Sequence, residues 1–283
     1  MQGHLDEALT SYRDGLAIRK ALALKDPCNT QCKRDVSVSD EQIGDVLVAQ
    51  GRLDAAFAAY LDGLDIAKSL AVKDPGNTDW QRDVLVGDDR IGDLLVTRGY
   101  LDDALSAYRD GLAIAKALAL KDSGNTEWQR DLSGSYDRIG DVLVAKGQLD
   151  DGLAIYNDGL AIKKALVLKD PGNPDWQRDL AVSDDRIGDV LVAKGQSDAA
   201  LVAYRRSLTI RDAQSTRDAS NVLSQIDLVV SLAKVASVGG EPEVNLGRAD
   251  GILKRLYGER VLPPDKRQWM DDVGSALEKV RGE

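Results

Sequence analysis

The chain has 283 residues, with 37 Lys and Arg against 47 Asp and Glu, a net charge of −10, one His and two Cys. That balance argues against an electrostatic nucleic-acid binder, which must neutralise phosphates with Lys and Arg, and no run of about 18 apolar residues is present to span a bilayer. The start MQGHLDEAL is not a secretory signal, so the sequence predicts a soluble, cytoplasmic protein without a membrane partner.

A fixed period organises most of the chain. DPCNTQCKRD at 26–35 returns as DPGNTDWQRD at 74–83, DSGNTEWQRD at 122–131 and DPGNPDWQRD at 170–179, always 48 residues apart. Gly3, Gly51, Gly99, Gly147 and Gly195 mark the same phase. Such an array grows by stacking and needs no single core, so length says little about domain number.

In chain order, residues 1–24 read as the second helix of a pair whose first helix is missing, because Met1 and Gln2 fall where Ala49 and Gln50 close the next unit's first helix. The expectation is a chain that starts upstream of Met1 or is a piece of something longer. The uncovered apolar face is a candidate self-association surface. Cys28 and Cys32 come next, but they replace Gly76 and Trp80 of the following unit, and the lone His4 belongs to another helix. No full ligand set for a four-coordinate zinc is visible, so the pair reads as drift in an edge repeat, with a redox-sensitive pair as the alternative. No metal or cofactor is expected.

Each full unit then reads as two helices. Trp80, Val84, Ile91, Leu94 and Leu95 follow one helical face, and Leu101, Ala104, Leu105, Tyr108, Leu112, Ala115, Leu118 and Ala119 follow another. The decamer punctuates the pairs. Pro75 and Gly76 cannot continue a helix, Asn77 or Thr78 offers an N-cap oxygen, and Thr78 with Gln81 has capping-box spacing. In the fourth unit Pro174 suits the first helical position if Asn173 is the cap. Gly99 predicts a left-handed stop between the two helices, and Asp102 and Asp103 early in the second helix with Lys116 and Lys121 toward its end suit the helix dipole. Gly92 and Gly111, each costing about 1 kcal/mol mid-helix relative to Ala, predict close helix approach with room for a neighbour such as Tyr108. Trp80, Trp128 and Trp176 are read as apolar seals between pairs.

Toward the end the pattern weakens. Arg217, Asp218 and Ile226 repeat the spacing of Arg82, Asp83 and Ile91 after a loop read as nine residues shorter, and Asp227 is read in place of the signature Gly. Gly239 and Gly240, then Pro263 and Pro264, separate two further helical segments, and Trp269, Val273, Leu277 and Val280 form one stripe on the last. Residues 240–283 are read as a cap. The organisation expected is residues 1–212 as tandem repeats and 213–283 as a degenerate repeat with capping helices.

Ile91, Gly92, Gly99, Ala104, Tyr108, Gly111 and Leu112 resemble the signature of the tetratricopeptide repeat (TPR) family, and the spacing recurs in every unit. Two departures stand out. Gly15, Gly63, Gly111 and Gly159 replace the usual small Ala after the aromatic, and the period is 48 rather than about 34. The added residues divide between the two helices, which should therefore reach about 20 residues and about 30 Å. The resemblance implies an all-α, right-handed α-solenoid of antiparallel helix pairs with a C-terminal helical cap. It also implies a concave groove, lined by the first helix of each pair, that holds a peptide or helical partner segment.

The family's groove positions map onto Glu41 and Asp45, Asp89 and Asp93, Asp137 and Asp141, Asp185 and Asp189. Two columns of carboxylates would focus a negative potential, which predicts a basic protein or peptide partner. Two readings of these positions stay open. Arg90, Arg138 and Arg186 stand between the paired carboxylates and could reduce them to a solvated ladder, as could Arg82, Asp83 and their copies. Acidic side chains at these positions argue against a clamp for a partner's terminal carboxylate, which relatives build from Lys and Asn. Catalysis is not expected: Asp89 and Asp93 could act as an acid and base, but they recur in every unit, and a catalytic site needs one special place. The alternative to a binding scaffold is a spacer or self-association segment of a larger signalling protein.

Overall fold

A computed structural model describes residues 2–27 and 29–282, with side chains from His4 onward. Cys28 and Met1 therefore lie outside the described residues, and Cys32 is a half-buried free thiol. The described residues form twelve α-helices, one 3-10 turn and no strand. The helices are α1 (Gln2–Lys25), α2 (Thr30–Ala49), α3 (Leu53–Lys73), α4 (Thr78–Thr97), α5 (Leu101–Lys121), α6 (Thr126–Ala145), α7 (Leu149–Lys169), α8 (Pro174–Ala193), α9 (Ser197–Arg217), α10 (Val222–Ser237), α11 (Pro242–Gly258) and α12 (Gln268–Arg281). They divide into two compact units, Met1–Lys146 and Gly147–Glu283. Within the first, α1 to α6 pack each on the next, and within the second α7 to α12 do the same. Inside each unit, loops of three or four residues as far as α11 leave consecutive helices no choice but to run antiparallel.

The decamer builds the start of each first helix through its Asn. Asn77 Oδ1 accepts from the Asp79 and Trp80 N–H groups, both at 3.1 Å, Asn125 and Asn173 cap α6 and α8 in the same way, and Asn29 caps α2 by accepting from Cys32 N–H. Thr78 is thus the first helical residue rather than the cap, and the Thr78–Gln81 capping box is not used. The preceding Asp turns the loop: Asp74, Asp122 and Asp170 each accept from the glycine N–H two residues on, at 3.0, 2.8 and 3.0 Å. Gly51, Gly99, Gly147 and Gly195 stop the first helices with φ of 73°, 79°, 76° and 72°, a region that a β-carbon disfavours.

First helices α2, α4, α6 and α8 have 20 residues and second helices α3, α5, α7 and α9 have 21, or about 30 Å each. Their length matches the lengthening read from the period. A β-carbon on Gly44, Gly92 or Gly188 would overlap the ring of Tyr60, Tyr108 or Tyr204 respectively, so the glycine is the socket of the tyrosine. Leu47, Leu94, Leu70 and Leu118 of these helices are buried as well, each contributing about 2 kcal/mol on burial.

The register at the far end corrects the sequence reading. Asn221 caps α10, and it stands 48 residues after Asn173, so the period holds and no loop is shortened. Asp218 makes the loop turn by accepting from Ser220 N–H at 3.1 Å. Asp227 consequently stands in register with Asp179, not with the signature glycine, whose place Ala236 takes. Helix α10 still departs from the pattern, with 16 residues. Val273 and Leu277 of α12 are buried against α10 and α11, with Trp269 packed beside them, whereas Val280 is 43% exposed and leaves the stripe.

Candidate functional site

Each first helix carries its two acidic positions four residues apart, one turn along the same face. The structure separates them by depth. Glu41, Asp89 and Asp137 are half-buried and Asp185 is only 6% exposed, while Asp93, Asp141 and Asp189 are exposed and Asp45 is intermediate. The eight positions thus form a recessed set and an outer set.

The recessed carboxylates bear the cost of burial. Glu41 is pushed up to about 7, first by desolvation and then by repulsion from Asp83 and Asp45, against the pull of Arg90 and Arg34. Desolvation raises Asp89 to about 6 despite Arg138, whose Nη1 lies 3.2 Å from Asp89 Oδ2. Burial also raises Asp185, although Arg211 Nη2 is 2.7 Å from its Oδ2. The other oxygen of Asp89 and of Asp185 is buried without a hydrogen bond.

The outer carboxylates are held by tyrosines of their own pair. Tyr60 donates to Asp45 at 2.7 Å, Tyr108 to Asp93 at 2.6 Å and Tyr204 to Asp189 at 2.7 Å. Burial, then the bond to the carboxylate, raises the pKa of each of these hydroxyls, which keeps them as donors. A cation from the following pair supplies the second contact. Arg90 Nη2 is 3.1 Å from Asp45 Oδ2, Arg138 Nε is 3.5 Å from Asp93 Oδ1, and Lys234 pairs with Asp189. The ladder therefore runs between repeats. A second ladder joins the starts of successive first helices, with Arg34 to Asp83 at 2.6 Å, Arg82 to Asp131 at 2.7 Å and Arg178 to Asp227 at 2.8 Å.

In the first unit the outer carboxylates open onto two successive pockets. Asp45, Val48, Tyr60, Arg90, Asp93 and Leu94 line one of about 370 Å³. Asp93, Val96, Tyr108, Arg138, Asp141 and Val142 line the next, of about 200 Å³, in the same register one repeat on. Arg90 and Arg138 line these pockets beside the outer carboxylates Asp45, Asp93 and Asp141. The valines and the tyrosine edge were not read as site residues from the sequence. Tyr60 and Tyr108 already had a core role, and Val48 and Val96 lie at the polar end of a helix face.

No family model matches the sequence, and no curated protein does. Among solved structures, the chain is similar to BtubC (BKLC) from P. vanneervenii at 16% identity and a TM-score of 0.70, over 90% of this chain and 92% of that one. It is similar to a putative kinesin light chain with TPR-like repeats from Podosopora anserina at 14% identity and a TM-score of 0.56, over 78% and 96%. It is also similar to a signal-transduction ATPase with a tetratricopeptide repeat sensor from Pyrococcus horikoshii, at 11% identity and a TM-score of 0.58, over 88% of this chain but 33% of that one. At such identities the likeness is one of architecture, and with the paired helices, glycine stops and tyrosine sockets it identifies this chain's fold as the TPR-like helical repeat.

Proposed function

We propose that the chain is a protein-interaction scaffold that takes a basic peptide or helical segment along its outer carboxylates. The observation that carries this reading is the repeated pocket of the first unit, where an apolar wall of Val48, Tyr60 and Leu94 lies beside Asp45 and Asp93. A lysine or arginine side chain has that division, an aliphatic stem and a charged head. Arg138 is part-exposed, and exposed pairs contribute about 0–1 kcal/mol, so a ligand cation can displace it. The scaffold is proposed to be cytoplasmic, non-enzymatic and free of cofactors; among the described residues no helix is long and apolar enough to cross a membrane.

The test is titration of the full chain with Lys/Arg-rich and Asp/Glu-rich peptides at low and moderate salt. Selective, salt-sensitive binding of the basic peptides, weakened several-fold by Asp93→Asn with Asp141→Asn, is expected. Asn keeps an acceptor for Tyr108 while removing the charge. Equal indifference to both peptide classes would remove the reading.

One observation supports a second reading, self-association through α1. Tyr12 is 36% exposed where Tyr60, in register with it, is 4%, and Leu22 is 48% exposed where Leu70 is 2%. Sedimentation of the full chain tests it: a dimer dispersed by Tyr12→Ser with Leu22→Ser supports association through α1, and a monomer at all concentrations excludes it.

A further inference from the structure

The C-terminal cap is close to neutral, with eight basic and nine acidic residues over 240–283, but its cations cluster around the end of α11. Lys254, Arg255, Arg260, Lys266 and Arg267 face Glu259 and Asp265 in sequence, within a chain of net charge −10. The elbow between α11 and α12 sets the backbone of one of these cations, Arg260, and both Arg260 and Arg267 are exposed there. Val261 and Leu262 N–H groups both donate to the Leu256 carbonyl, at 3.0 and 3.1 Å, Leu262 is buried in the cap's core, and Pro264 opens a 3-10 turn at Pro264–Lys266. Between those anchors Arg260 is held at a φ of 60°, in the left-handed region that a residue with a β-carbon rarely occupies.

Arg260 and Arg267 there line one cavity of about 430 Å³ with Tyr257, Gly258 and Leu262, a volume within the range of small-molecule sites, about 300–1,000 Å³. The Arg267 guanidinium lies 5.9 Å from the Tyr257 ring centre. The arginines of the repeat ladders differ: Arg34, Arg82, Arg90, Arg138, Arg178 and Arg211 each meet a carboxylate. Arg260 and Arg267 meet none among the described residues, and the neighbouring Asp265 pairs with Lys266 at 3.1 Å.

We propose that this elbow pocket binds a phosphate monoester. Two guanidiniums present two positive charges and a set of fork-shaped donors. A tetrahedral dianion with several terminal oxygens matches both in charge and geometry, whereas a carboxylate leaves one charge unmatched. The volume beyond the oxyanion, walled by Tyr257 and Leu262, receives the group that carries the phosphate. Nothing in this site depends on the carboxylate groove.

The experiment is calorimetric titration of the full chain at low ionic strength with inorganic phosphate and with phenyl phosphate. Saturable binding is expected, weakened at least tenfold by Arg260→Gly and by Arg267→Gln, and unchanged in Lys254→Gln, which removes a cation outside the pocket. Glycine is chosen at position 260 because it adopts positive φ freely, so the elbow keeps its shape. Tighter binding of phenyl phosphate than of inorganic phosphate assigns the site to a carried phosphate, and equal binding assigns it to the free ion. No saturation by either probe at millimolar concentration, or the same affinity in all three variants, overturns the proposal.

Discussion

A β-carbon on Gly92 would enter the ring of Tyr108, while one on Gly251, in α11, would meet nothing within 4 Å. The two helical glycines therefore make opposite predictions for the same substitution. Ala at position 251 should raise stability by about 0.5–1 kcal/mol, the helix-propensity gain alone. Ala at position 92 should lower it by about 2 kcal/mol, because displacing a packed ring outweighs that gain. Urea unfolding of the full chain separates them, and a Gly92→Ala variant as stable as the parent would show that the ring does not need the socket. The socket itself was legible in the sequence, since a recurring cost within a helix has to have a recurring reason. The depth of the carboxylates was not. It makes a second residue-level prediction, because Glu41 and Asp89 hold their protons more tightly folded than unfolded. Their contribution to stability is complete below the ordinary carboxylate range and is lost as the pH rises through about 6 for Asp89 and about 7 for Glu41. The urea midpoint should thus fall between pH 5 and pH 8, and Glu41→Gln with Asp89→Asn should flatten that slope. A midpoint that climbs over the same interval would mean that the arginines nearby, Arg90 and Arg138, outweigh desolvation.

At the scale of the helix, cap and stop residues carried nearly all the boundaries. Asn at the cap, Pro or Thr at the first helical position and Gly after the last turn are local chemistry, readable without knowing what packs on what. The fifth pair shows the limit of that kind of reading. DPGNPDWQRD is reduced there to DASNVLSQID, in which Asp218, Asn221 and Asp227 keep the pattern at the loop turn, the cap and the ladder. An Arg-Asp dipeptide at 217–218 imitated the one at 178–179 and shifted the register by nine residues. The aspartate and asparagine that bend the loop and cap the helix are the diagnostic pair, because their side chains bond to backbone at fixed offsets. Two measurements test this. Asn125→Ala should lower stability by about 1 kcal/mol and Asn125→Asp should not. A double-mutant cycle on Arg178 and Asp227 should return the same coupling as one on Arg82 and Asp131, about 0.2–1 kcal/mol. A coupling near zero at Arg178 alone would restore the shortened-loop register.

For the molecule as a whole, stacking makes each repeat's stability depend on its neighbours, and the same adjacency decides how far the outer carboxylates are neutralised. The two carboxylate sets were legible from the resemblance, but their occupancy was not, because the neutralising arginine comes from the next first helix and its reach depends on packing. Arg138 touches both Asp89 and Asp93, and Tyr108 holds Asp93 from the other side. If the outer carboxylates serve a basic ligand, Arg138 is its competitor. Arg138→Gln should then tighten binding of a Lys/Arg-rich peptide several-fold at low salt, Asp93→Asn should weaken it, and the double variant should fall between, since it removes the charge and its competitor together. If the ladder is structural only, the same arginine variant should lower the urea midpoint slightly, as expected for the loss of about 0–1 kcal/mol, and leave peptide binding unmoved. The two outcomes differ on one titration, so the competition between Arg138 and an added cation is the property that tells a groove from a ladder.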